Sequence, residues 1–201
     1  MSDARDIVHF WFQDITDQTP LRASHPPCSL WFSQNSEFDQ RIKERFEVDL
    51  EKARQGQYQS WEDSAQGRLA LILLFDQFSR NMYRGLPKAF ATDPLALDLS
   101  RRSVADGFDR SLALIQRMFV YLPFMHAEDL HWQNEAVRLF EGLREECQER
   151  FPSNAGYFQS QLHYACGHRD LIERFGRFPH RNSILKRPST SKELKFLKAS
   201  V

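Results

Sequence analysis

Asp76, Arg80 and Arg84 recur at four-residue intervals within residues 69–85, LALILLFDQFSRNMYRG. On a regular helix that spacing puts one carboxylate and two guanidiniums on a single stripe. Gln77 and Asn81 form a second polar row beside it. The first half of the segment is apolar on all sides, as in a helix enclosed by its own domain. Charges there cost several kcal/mol per ion, as an order of magnitude, unless they are paired. They mark an ion network or a site.

Two further stretches carry chemistry-bearing groups at similar depth. In YLPFMHAEDLHWQ (121–133), Asp129 falls near the middle of an apolar helical face, with His126 towards its edge. In residues 154–175, His168 shares a face with Tyr157, Tyr164, Leu171 and Phe175. The loop that follows alternates apolar anchors with the donors Arg177, His180, Arg181, Asn182 and Arg187. Imidazole beside carboxylate is acid–base chemistry, and guanidinium forks hold carboxylates or phosphates. The candidate catalytic groups are His168 or His126 as base, with Asp76 or Asp129 orienting it. The candidate ligand-binding set is Asp76, Gln77, Arg80, Asn81, Arg84, His126, Asp129, His168, Arg177, His180, Arg181, Asn182 and Arg187. A structural reading stands beside it, in which Asp129 pairs with an arginine of another helix and the loop arginines pair with Asp76, Asp129 or Glu128 and pin the tail. Glu128 and His131 have Glu-x-x-His spacing, but a single copy off the apolar centre does not make a di-iron site, and no metal is expected.

Helical periodicity and caps position these groups, and no alternating strand pattern occurs. Helices are expected at 3–12, 36–55 (closed by Gly56), about 62–84 (closed by Gly85) and 93–107, where Asp93 and Pro94 supply N-cap and N1. Others follow at about 111–121, from Pro123 to about Cys147, and at 154–175, closed by Gly176. Thr190 and Glu193 have capping-box spacing and open a terminal helix over 190–199. Residues 14–30 form a proline-rich linker, and 176–189 a polar loop. About eight helices with short connections imply one all-α domain over 1–201, a TPR-like array of helical hairpins.

With 27 Lys/Arg and 27 Asp/Glu, the 201-residue chain is neutral overall, which leaves no global footprint for nucleic acid or an anionic membrane. From Arg174 onward eight Lys/Arg face one acid, a basic tail on an acidic body. Cys28, Cys147 and Cys166 are odd in number and lack CxxC spacing, as expected of reduced thiols in the cytoplasm. The N-terminus has early acids and no apolar core of a signal peptide. No phosphate-cradling glycine loop, His-Glu-x-x-His or nucleophile elbow is present, so neither nucleotide cofactor nor catalytic triad is expected.

Residues 69–97, 121–133 and 168–197, together with FWF at 10–12 and Trp31–Phe32, resemble the bacterial family called domain of unknown function 924. The resemblance spans essentially the whole chain and implies a TPR-like all-α fold, with no established activity. It carries over Glu128, Arg169, Asp170, Glu173 and Arg174 in addition to the polar residues above. Where the family pattern has Leu-Gly-Arg, this chain has Lys186 in place of the glycine, which puts the loop's turn in doubt if a left-handed residue is needed. Three functional expectations follow. The leading one is a polar pocket binding an anionic small molecule or an acidic peptide end. The others are an acid–base enzyme with arginine clamps, of hydrolase or lyase type, and an interaction module with a structural polar core. The enzyme reading needs a His–carboxylate pair within hydrogen-bond reach beside an open pocket.

Overall fold

The computed structural model describes residues 2–22, 24 and 26–199. Among them the chain is all-α, without strands. Its α-helices are α1 (Ala4–Phe12), α2 (Cys28–Trp31), α3 (Ser36–Arg54), α4 (Ala65–Ile72), α5 (Ser79–Met82), α6 (Asp93–Ala105), α7 (Leu114–His126), α8 (Leu130–Arg150), α9 (Ala155–Phe175) and α10 (Ser191–Ala199). A π-helical segment, Leu73–Phe78, fuses α4 and α5 into one rod. Consecutive helices α7, α8 and α9 pack as neighbours over short connections, an arrangement compatible with an array of helical hairpins.

The α4–π–α5 rod runs through the core, and residues 69–75 are all buried. Around its N-terminal half pack α1, α6 and α7, while α3 lies against the π turn and α5. Aromatic rings close the seam. Trp11, Trp31 and Phe119 meet edge to face or stacked, with centroids 5.1–6.4 Å apart. Gly67 lets the rod approach the 59–63 turn closely, since a Cβ there would lie 2.0 Å from the Trp61 carbonyl oxygen.

The structure corrects several expected boundaries. Residues 14–30 are not a free linker. They include the first three residues of α2, and Asn154 ties them down by accepting from Leu21 N–H (2.9 Å) and donating to the Asp17 and Thr19 carbonyls. Ala23 and His25 of that stretch lie outside the described residues. Pro123 does not open a helix; it lies inside α7, which runs on to His126. The break falls at 127–129, because Asp129 caps α8 by accepting from the backbone N–H groups of His131 and Trp132. Asp129 is therefore a helix cap, not a mid-face carboxylate. The N-cap of α6 is Thr92, and Asp93 is its first residue.

The central rod also departs from a straight stripe. Its α-helical part ends at Met82, with Gly85 left-handed at φ 79°, so Arg84 lies beyond the helix. The π turn frees backbone carbonyls that neighbours satisfy: Thr92 Oγ1 donates to Phe75 O (2.6 Å), and Arg80 Nη1 to Asp76 O (2.9 Å). On α9 the buried face is Phe158, Gln161, Ala165 and Ile172. Tyr164 is exposed and His168 half-buried, so the expected Tyr157–Tyr164–Phe175 face is a flank of that helix.

Candidate functional site

Two carboxylates and a guanidinium organise the polar centre. Asp76, fully buried in the π turn, accepts from Gln77 Nε2 (2.6 Å), pairs with Arg80 (3.0 Å) and meets His126 Nδ1 at 2.6 Å. Arg80 also makes two hydrogen bonds to Asp93 at the start of α6, at 2.9 and 3.1 Å. His126 is delivered by the end of α7. That end is held by Gln133 of α8, whose Nε2 donates to the Met125 and Ala127 carbonyls, each at 2.7 Å.

The 176–190 segment closes over this centre through arginine pairs. Glu128, in the α7–α8 break, accepts from Arg187 Nη2 (2.9 Å) and from Phe178 N–H (2.8 Å). Arg177 forks onto Glu193, which also closes the capping box of α10 through Thr190 N–H (2.6 Å). Lys186 has φ 54°, so the left-handed turn survives without the family's glycine. Arg181 lies between the Phe90 and Phe178 rings, 4.7 and 4.6 Å from their centroids. It makes one hydrogen bond, to Asp93 at 3.3 Å, and its buried Nε has no acceptor.

Electrostatics follow from this packing. Burial raises the Asp76 carboxyl, but the charges of Arg80 and His126 and its hydrogen bonds outweigh it and hold the pKa below the usual range. Burial, joined by the cations Arg80 and Arg181, pushes His126 down to about 4 against the pull of Asp76. At neutral pH His126 is an uncharged imidazole donating Nδ1–H to Asp76. Burial and the neighbouring Arg80 lower Arg181 to about 10.

Two clefts open beside this centre, and His126 walls both. The first, about 520 Å³, includes Phe90, Asp93, His126, Glu128, Asp129, Trp132 and Arg181. The second, about 590 Å³, lies between α2, α7 and α9 and includes His168. The three sequence stretches thus converge, and their meeting point is open.

The family model described as "Bacterial protein of unknown function (DUF924)" matches residues 7–200. The chain belongs to this family. A solved structure of a protein of unknown function from Agrobacterium tumefaciens is 37% identical, covering 98% of this chain and 97% of that one with a TM-score of 0.80. No curated protein matches.

The sequence-marked residues of this DUF924 chain fall into three groups. Asp76, Gln77, Arg80, His126 and Arg181 form the centre, and His126, Asp129 and Arg181 line the first cleft. Arg177, Asn182 and Arg187 tie the closing segment together, Asn182 through Ser189 (3.0 Å) and Arg187 (3.1 Å). Exposed His180 packs beside Phe178, 5.5 Å between centroids. Arg84 and Asn81 leave the group altogether: both bind Asp39 of α3 (2.6 and 2.7 Å), and neither lines a cleft. Asp93 and Glu128 turned out to anchor the arginines, as did Thr92 for the π turn. Glu128 is both carried over by the family resemblance and among the expected partners of the loop arginines, and Arg187 bears that out; Asp93 is expected only as a helix cap, because sequence does not show which distant arginine a carboxylate meets.

Proposed function

We propose that this DUF924 chain binds a small anionic molecule in the first cleft and acts on it by acid–base chemistry. His126 is the general base through Nε2, Asp76 the positioning residue that fixes its tautomer, and Arg181 the group that holds the anion. The observation that carries this reading is the 2.6 Å Asp76–His126 hydrogen bond on the wall of an open cleft. Arg80, Arg84, Arg177 and Arg187 are each already paired with carboxylates. Arg181 alone of the loop and stripe arginines has donor capacity to spare in a cleft wall, so the site suits one carboxylate or phosphate, not several. Its three cysteines are unpaired, which supports a reducing, cytoplasmic setting. No helix among the described residues is long and apolar enough to cross a membrane.

The test is a panel of organic carboxylates and phosphate esters, read by saturation-transfer NMR for binding and by the same spectra for consumption. Wild type should bind and convert at least one member, Arg181→Ala should lose binding, and folded His126→Gln should bind without conversion. Binding without conversion by wild type removes the catalytic half of the proposal. No binding of any member overturns both halves.

A further inference from the structure

The second cleft differs from the first in kind. Among the described residues no Asp, Glu, Lys or Arg lines it; its walls are Leu122, Met125, Phe32, Tyr157 and Tyr164 with a few neutral polar groups. Yet those polar groups are unspent. Gln161 is more than nine-tenths buried as a residue, but its side-chain amide makes no hydrogen bond within the protein and is left facing solvent in the cleft, not sealed in the interior. The hydroxyl of Tyr157, half-buried in the same wall, also has no partner. His168 spends Nδ1 on the Tyr164 carbonyl at 2.8 Å, and His126 spends Nδ1 on Asp76. A carbonyl and a carboxylate only accept, so in each neutral ring Nδ1 carries the proton and Nε2 keeps its lone pair. The two rings stand 6.5 Å apart, centroid to centroid. Burial lowers the pKa of His168 as it does that of His126, so both rings are neutral.

Here the Gln161 amide, the Tyr157 hydroxyl and the His168 Nε2, none of them hydrogen-bonded within the protein, line one concave, mostly apolar space of the size that small-molecule sites occupy. The His168 Nε2 lone pair asks for a hydrogen-bond donor, and a described lining without Asp, Glu, Lys or Arg offers nothing to an ion. We propose that the second cleft is a binding site for a neutral, hydroxyl-bearing molecule with an apolar ring, the hydroxyl donating to His168 Nε2 and the ring resting against Leu122, Met125 and Tyr157. This site does not depend on the chemistry assigned to the first cleft.

Three probes of one shape separate the possibilities: benzyl alcohol, toluene and benzoate, each titrated into the full-length protein. The readouts are the ¹³C methyl shift of Met125 and the ¹⁵N shifts of the His126 and His168 ring nitrogens. Benzyl alcohol should bind in the millimolar range, move Met125 and the His168 Nε2 resonance, and bind about five-fold tighter than toluene, the worth of one net hydrogen bond. Benzoate should leave Met125 unmoved. Toluene binding as tightly as benzyl alcohol, benzoate binding best at Met125, or none of the three moving Met125 would each overturn the proposal. Folded His168→Leu should abolish the preference for the alcohol over toluene. The tautomers are read in the ligand-free wild type, so the result stands even if that variant does not fold; a protonated Nε2 on His168 also refutes it.

Discussion

Replacing Asp76 with Asn removes one charge from the centre and little volume. Arg80 then keeps only the Asp93 pair, and His126 loses the carboxylate that accepts its Nδ1–H. Breaking one partner out of a buried ion pair typically costs about 3–5 kcal/mol. Because Asp93 still compensates Arg80 through two hydrogen bonds, the lower end applies, about 3 kcal/mol. For a chain of this length that corresponds to a fall in Tm of about 6–12 °C. The assay is urea unfolding followed by circular dichroism, with the slope expected to be unchanged and the midpoint lowered. A matched control is Asp98→Asn, which removes the exposed partner of Arg102 and should shift stability by no more than about 0.5 kcal/mol. If Asp76→Asn costs less than about 1 kcal/mol, or no more than the control, Asp76 is not the hub of the polar centre and the positioning role assigned to it fails with it.

The remaining predictions concern pH, backbone and closure. His126 is depressed to about 4 in the fold, so between its unfolded pKa near 6.5 and 4 the unfolded chain binds the extra proton; stability therefore falls as pH drops from 6.5 towards 4, by about 3 kcal/mol for this group. The lowered Asp76 adds a further loss below its unfolded pKa, and His126→Gln should flatten the slope above pH 4 in urea titrations at stepped pH. Gly67→Ala should destabilise by about 2 kcal/mol despite the gain in helix propensity, because the new Cβ meets the Trp61 carbonyl; stabilisation in thermal melts would contradict the close approach. Lys186→Gly should be stabilising by about 0.5–1 kcal/mol, relief of the left-handed backbone exceeding the entropy gained by the unfolded chain. Glu128→Gln should speed amide exchange at Phe178 and across 178–187 by about ten-fold, while α3 exchanges as before; uniform exchange would show that Glu128 does not hold the segment.

Apolar spacing and caps made the helices readable, including α1, α3, α9 and α10 to within a residue or two, because those signals are local. The same periodicity misled where two rules competed. Residues 123–147 keep an apolar face throughout, so they read as one helix. In the fold the carboxylate of Asp129 caps a new helix more favourably than it could sit on a buried face, and Gln133 takes up the loose carbonyls of α7. The π turn was equally hidden. Nothing in LLFDQF distinguishes it from an α-turn; it is stabilised by Thr92 and Arg80, which supply donors from outside the segment or one turn away. Arg84 followed the stripe on paper and left it in space, because the helix ends at Met82 before reaching it.

The polar centre depends on that interrupted helix. Had α7 run on through 127–129, the Phe178 N–H and Arg187 would not find Glu128 in an irregular turn free to face them, and His126 would be flanked by a further helical turn instead of open space. Stopping at His126 leaves its ring at a corner, backed by Asp76 and bordered by a cleft on either side. One cleft is rimmed by acids and a single underused guanidinium; the other has no Asp, Glu, Lys or Arg among its described lining residues. With Nδ1 tied to Asp76, the ring has a single nitrogen through which to take and return a proton, so His126 serves as a base in the first cleft only while Nδ1 stays tied to Asp76 and Nε2 stays free. Asp76→Asn tests the first condition, and the ring-nitrogen shifts of His126 test the second.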